Sequence, residues 1–324
     1  MNSRDRFLET MRFGQPDRVP YFQEGIRPEV FQAWSRQGLS SADDLSALFP
    51  IDGRIEEQID GYPHPRFLRW PKSAAGLGGF RRRLRPSNGR LPAGWKKNAP
   101  AWRARQEALM LEIHRGFFLT MGVYDWKQFT WVIESLVDRP ELVQEFMRIE
   151  AEMLVVLLER FLSEVQIDAA IFSEPIGGNN GALISPSMYE KFVLSSYVPL
   201  LETLERHGVE IIILRTYANA RVLVPSMLKF GLNCLWACET NAEAMDYRSL
   251  RREFGKDLRL IGGIDLDVLR EGKAAIRREV EEKVPLLLEQ GGYVPLADGR
   301  VREDIPFENY IYYRELLVKV TQRG

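Results

Sequence analysis

The chain has 324 residues and a mass of 37.4 kDa, with 45% apolar residues and a formal net charge of −1. A chain of this size and composition is globular and large enough to bury a substantial core, which excludes collagen-like, coiled-coil and disordered architectures. Its apolar runs, such as Ile211 to Leu214 and Met153 to Leu158, fall far short of the roughly 20 residues of a membrane helix, so no membrane partner is expected.

In chain order, Met1 to Arg6 leads into an amphipathic helix pattern without the apolar core of a signal peptide, and a cytoplasmic location is the expectation. Twelve Lys/Arg and no Asp/Glu lie between Arg66 and Arg105. Within that stretch, Arg81-Arg82-Arg83-Leu84-Arg85 and the turn signal Ser87-Asn88-Gly89 predict a basic β-hairpin near residues 80–95. Such a hairpin is either a solvated face or a clamp for an anionic ligand or acidic partner. Nucleic acid is disfavoured by the pI near 6.4 and the absence of a binding motif.

From Asp138 the rhythm is regular. Asp138-Arg139-Pro140-Glu141 starts a helix, with Asp138 read as its N-cap, and Leu142, Phe146, Ile149, Met153 and Leu157 keep helical spacing. Short apolar strands follow near residues 169, 209, 233, 258 and 292, separated by helices, one of them opened by Ser185-Pro186. Strands joined at that spacing form a parallel α/β sheet. The chain lacks the Gly-rich phosphate motifs of open nucleotide-binding sheets, which favours a closed (β/α)8 TIM barrel, read as a single domain over residues 1–324. Each strand also ends in a polar group: Glu174, Arg215 to Asn219, Glu239, Asp265 and Asp298. In a barrel those ends converge on the catalytic rim. The aromatics Phe117, Phe118, Tyr124, Trp126, Phe129 and Trp131 are read as core packing, with Arg115-Gly116-Phe117 near the cleft mouth.

Four separated segments carry a resemblance: Pro16-Asp17-Arg18-Val19-Pro20, Asn180 to Pro186, Ile261-Gly262-Gly263-Ile264-Asp265 and Glu308-Asn309-Tyr310. In order and context they resemble the uroporphyrinogen decarboxylase superfamily, closest in character to its uncharacterised and methyltransferase-like branches. The resemblance implies a (β/α)8 barrel with a deep cleft at the C-terminal rim, a small-molecule substrate and a homodimer. It also divides the expected activities. The decarboxylase proper carries paired arginines after its first strand, whereas the matching Tyr21 to Pro28 segment here has Glu24, with Arg27 a partial substitute. Asp52 is the candidate for the aspartate that faces pyrrole N–H groups. The thiol-activating methyltransferases carry zinc ligands where this chain reads Arg215-Thr216-Tyr217-Ala218-Asn219. Cys234 and Cys238 stand roughly 13 Å apart along one strand face, too far to share a metal, so no zinc is expected and the cysteines are read as packing.

The remaining branch implies a zinc-independent methyltransferase that demethylates a methoxy or methylamine donor onto a corrinoid (cobalamin), carried by this chain or by a separate corrinoid protein. The implied catalytic set is Glu174, Tyr217, Asn219, Glu239 and Asp298: the carboxyls as proton donors, Tyr217 and Asn219 as hydrogen-bond donors to the leaving group. Glu24, Arg27, Asp52, Arg215 and Asp265 are the implied substrate-binding set. Relatives often continue Asp298 with His, and this chain has Asp298-Gly299-Arg300. The alternatives are a decarboxylase of a tetrapyrrole or other acid, and a non-catalytic tetrapyrrole or small-ligand binder.

Overall fold

The computed structural model describes residues 1–41, 44–238 and 245–322. Seven strands form one wholly parallel sheet: β1 (Arg54–Gln58), β2 (Ala108–His114), β3 (Ala169–Glu174), β4 (Ile212–Tyr217), β5 (Cys234–Cys238), β6 (Arg259–Ile264) and β7 (Tyr293–Ala297). Each pairs with its neighbours in chain order, from β1 at one edge to β7 at the other. Helices provide the crossovers, as parallel pairing requires.

The sheet curls into a (β/α)8-type barrel whose eighth position is held by an irregular segment. Tyr21 O accepts from Asp52 N at 3.0 Å, and Gln23 O accepts from Arg54 on the β1 side. On the β7 side Ala297 N donates to the Glu24 carboxylate at 3.2 Å. Beyond it, Gly25–Ile26 pairs in parallel with Arg300–Val301.

Two apolar layers result. Ala108, Met110, Ala169, Ile171, Ile213, Cys234, Trp236, Ile261, Val294 and Leu296 fill the bore, with Phe7, Met11 and Phe22 against them. Alternate residues such as Leu109, Leu111, Ala170, Phe172 and Leu214 face the helices. A register shift between Glu112 and His114 breaks this alternation on β2. Ile113 packs with the outer layer and His114 is bonded there too, so the bulge turns His114 away from the bore.

The helix Ser3–Met11 closes the N-terminal end of the barrel. Asn2 caps it by accepting from Asp5 N, and its Phe7 and Met11 are fully buried. The Pro16 to Pro20 motif works at this end. Arg6 and Arg18 both bind Asp52, and Tyr21 N donates to it at 2.8 Å. Burial opposes ionisation of Asp52, but Arg18, the Tyr21 amide and Arg6 outweigh it and hold the carboxyl below its usual range. Asp52 therefore sits at the end of the barrel opposite the catalytic rim and fastens the closing helix.

The basic segment is helical, not a hairpin. Helices run over Leu77–Arg83 and Trp95–Arg103, with a single 3₁₀ turn at Asn88–Arg90 between them. Leu77, Phe80 and Leu84 recur at helical spacing, and Phe80 packs edge-on against Phe146 at 4.8 Å. Arg81 reaches Glu152 at 2.7 Å on the same long helix, Pro140–Leu162. That helix starts one residue later than the sequence suggests, with Arg139 as N-cap and Asp138 ending the preceding helix.

Candidate active site in the barrel bore

Above the apolar filling, charged side chains from three strands meet over an indole from a fourth. On β1, Arg54 Nε donates to Glu56 Oε1 at 2.8 Å; across the bore, Arg215 of β4 donates to Glu56 Oε2 at 2.7 Å and to Glu112 Oε2 of β2 at 3.4 Å. Trp236 of β5 lies beneath both guanidiniums, its ring centroid 4.2 Å from Arg215 and 5.3 Å from Arg54. Two guanidiniums and two carboxyl groups share a space walled by protein, where charge interactions are stronger than in water. Arg215 Nε is buried without an acceptor among the described residues, so one donor of the cluster is uncommitted.

The two carboxyls are tuned in opposite directions. Burial raises the Glu112 carboxyl, and Glu56 adds to the effect against the pull of Arg215. Burial works the same way on Glu56, but Arg215 and Arg54 together outweigh it and hold Glu56 below its usual range. Pairs pushed apart in this way assign acid and base roles: Glu56 stays ionised while Glu112 keeps its proton to higher pH. Toward the rim, Tyr217 and Cys238 are register partners on β4 and β5. Burial first, then Cys238, keeps the Tyr217 hydroxyl protonated, while Arg300 and Arg215 oppose it. Deeper in the bore, burial pushes the Cys234 thiol up to about 12, which makes it an inert packing group.

Only part of the sequence-derived site is in this space. Arg215 and Tyr217 are in the bore. Glu174 points to the outer layer, where its carboxylate accepts from Phe117 N at 2.9 Å and from Tyr197 OH at 2.6 Å. Tyr197 also touches His114 Nδ1, which accepts from Gly116 N, and His114 Nε2 lies 3.3 Å from Glu150. Glu174 and Glu150 are thus members of a closed internal network, so Glu174 has no route to a rim ligand.

Glu24 is likewise internal. It accepts from Tyr310 and Tyr313 hydroxyls at 2.8 Å each and from Arg314 at 3.2 Å, binding the terminal helix Phe307–Thr321 to the eighth position. A carboxylate so engaged does not repel substrate. Asn219 Oδ1 accepts from Arg221 N and its own N–H donates to Gly178 O, so it shapes a turn beside the rim. Asp265 Oδ1 accepts from Asp267 N in the loop after β6. Asp298 accepts from Gly263 N at 2.9 Å and holds the end of β6. Arg27 is exposed on the surface beside Glu29. Glu239 lies outside the described residues.

Sequence reasoning missed Arg54, Glu56, Glu112 and Trp236. The signal was a charge inside an apolar strand run, Ala-Leu-Met-Leu-Glu-Ile-His, and period-two charges in Arg-Ile-Glu-Glu-Gln.

The family model described as uroporphyrinogen decarboxylase (URO-D) matches residues 120–309. The chain belongs to the uroporphyrinogen decarboxylase family. Arg215, Tyr217 and Trp236 fall within the matched region of that family, whereas Arg54, Glu56 and Glu112 precede it. No curated protein matches the sequence. Among solved structures, xylanase B from Clostridium stercorarium F9 aligns over 86% of this chain and 89% of its own, at 11% identity and a TM-score of 0.40. Among the described residues, no helix is long and apolar enough to cross a membrane.

Proposed function

We propose that the chain is a corrinoid-linked methyltransferase of the uroporphyrinogen decarboxylase family, demethylating a small methoxy donor at the bore cluster. The observation that supports this reading is the opposite tuning of Glu112 and Glu56 about Arg215. When a methyl group leaves an ether, the C–O electron pair stays on oxygen and the developing alkoxide needs a proton. Glu112 supplies it, and Glu56 keeps Arg215 oriented toward the leaving oxygen. Tyr217, protonated at neutral pH, donates a second hydrogen bond from the rim. A quaternary or already protonated methylammonium donor releases a neutral amine and needs no such acid, so the arrangement favours methoxy over such donors.

A bound corrinoid would supply the methyl acceptor. The chain offers it no imidazole: His114 is engaged in the outer layer, His64 binds Asp60 and His207 binds Glu159. These three histidines would therefore not hold the corrinoid, which fits delivery by a separate corrinoid protein.

Decarboxylation is the second reading, favoured by the two inward arginines, Arg54 and Arg215, whose forks suit a carboxylate. There the bond to carbon dioxide breaks, the electron pair remains on carbon, and Glu112 protonates that carbon. Methoxy aromatics and aliphatic methyl ethers, incubated with reduced cobalamin or a corrinoid protein, separate the two readings. Demethylated product that depends on both the corrinoid and Glu112 supports methyl transfer. Carbon dioxide release from carboxylic acids, without demethylation of any donor, overturns it in favour of the second.

A further inference from the structure

The twelve cations of residues 66–105 divide by what they touch. Arg81 and Arg105 form ion pairs, Arg90 and Arg103 donate to backbone carbonyls, and Arg83 lies over the Phe67 ring. Arg66, Arg69 and Lys72 have no acidic partner among the described residues, and they converge with Lys127 on one cavity of about 820 Å³. The single acid in its lining, Asp125, is occupied as a helix cap, accepting from Gln128 N at 2.7 Å. Four cations thus face a concave space against one engaged carboxylate.

Its walls are aromatic. Tyr62 lies between Arg66 and Arg115, whose guanidinium carbons are 4.4 Å and 3.9 Å from its ring centroid. Trp70 is held edge-on by Phe67 and Phe80, each at 5.4 Å between centroids. The indole lies directly on Gly122, whose φ is +71° and where a Cβ would come within 2.3 Å of the ring. Only a glycine there lets the basic segment dock on the loop after β2 and form the cavity. At the same place Tyr124 is 60% exposed and Leu68 fully so, apolar surface left open to water.

We propose that this cavity is a second ligand site, separate from the bore, for a small polyanion carrying a planar ring. The ring lies against Trp70 and the exposed Tyr124, and two or more anionic arms reach Arg66, Arg69, Lys72 and Lys127. The volume is that of a small-molecule pocket. Unpaired cations around a concave space concentrate anions, and arginine forks suit phosphate or carboxylate equally.

Calorimetric titration of the full chain with ATP, pyromellitate, adenosine and inorganic phosphate tests this. At least one of the two ring-bearing polyanions binds in a one-to-one ratio, and the stronger of them identifies phosphate or carboxylate as the preferred arm. Adenosine and inorganic phosphate bind at least about tenfold more weakly, because each lacks one half of the recognition. The exposed-residue variants Arg69→Glu and Lys127→Glu each weaken binding by about tenfold or more, and raising salt weakens it in the parent. Absence of saturation by either polyanion at about 1 mM overturns the site, since that corresponds to only about 4 kcal/mol. So does affinity unchanged in both variants, or inorganic phosphate binding as tightly as the ring-bearing anions.

Discussion

Replacing Glu24 by Gln removes the carboxylate that pairs with Arg314 at a point where Tyr310, Tyr313, Ala297 N and Arg314 converge. The Arg314 side chain is 1% exposed and that of Glu24 0%, so the variant strands a buried guanidinium. Breaking one partner out of a buried pair costs roughly 3–5 kcal/mol. Arg314 keeps Phe22 O at 2.7 Å and the Gln carbonyl keeps one acceptor, which places the expected loss near the lower end, about 3 kcal/mol. Glu24→Ala also deprives two tyrosine hydroxyls of their acceptor, and its loss rises to about 5 kcal/mol or more, comparable with the stability of many whole domains. Urea denaturation followed by circular dichroism measures the Gln variant directly. The paired replacement Glu24→Leu with Arg314→Met restores much of the loss, because no charge is then left uncompensated. A Gln variant within about 1 kcal/mol of the parent, or a double variant as unstable as the sum of the singles, refutes the structural role of Glu24.

Three further outcomes follow from the same electrostatics. Glu112→Gln lowers turnover by roughly 10²–10⁴-fold with substrate binding nearly kept, as loss of a general acid does; steady-state kinetics showing equal turnover would remove Glu112 from the reaction. In Glu56→Gln, the neighbouring negative charge that raises Glu112 is gone and Arg215 is released to it, so the Glu112 carboxyl falls. Activity that needs protonated Glu112 is then lost at lower pH than in the parent, and an alkaline limb that stays put or moves up contradicts the assignment. Tyr197→Phe removes the strongest interaction opposing the burial that raises Glu174, costing roughly 1–3 kcal/mol. Because the folded-state carboxyl already titrates above its unfolded value, its contribution is fully present below the unfolded range near pH 4.3 and is lost as pH rises through the raised one. The variant widens that window, so its destabilisation in urea is greater near pH 8 than near pH 5; an equal loss at both would be inconsistent with this account.

Several elements were legible in the chain itself. The apolar runs near residues 169, 233, 258 and 292 became strands beginning at Ala169, Cys234, Arg259 and Tyr293. The Ser185-Pro186 start was legible too, with Ser185 accepting from Met188 N as cap. These signals are local, because apolar runs, caps and breakers act over a few residues. The basic segment shows the limit of turn chemistry: Ser87-Asn88-Gly89 does form a turn, but Phe80 finds its partner on the helix Pro140–Leu162 and the flanks become helices.

The candidate site was less legible, for a specific reason. Strands buried on both faces read as continuous apolar runs, so their sequence does not say which face looks inward. On β3, Ile171 faces the bore and Glu174 the helices, a matter of parity alone. On β2 parity itself fails, because the bulge after Glu112 sends His114 outward.

From Pro140 onward the order and kind of elements, and most of the motifs that carry the family resemblance, were written into the chain at short range. The joining of Arg54, Glu56, Glu112 and Arg215 over one indole depends on strand registers and a bulge that exist only once crossovers have brought residues 54, 112, 215 and 236 together. Which charges share a low-dielectric space is a property of distance in three dimensions, and sequence separation carries no information about it.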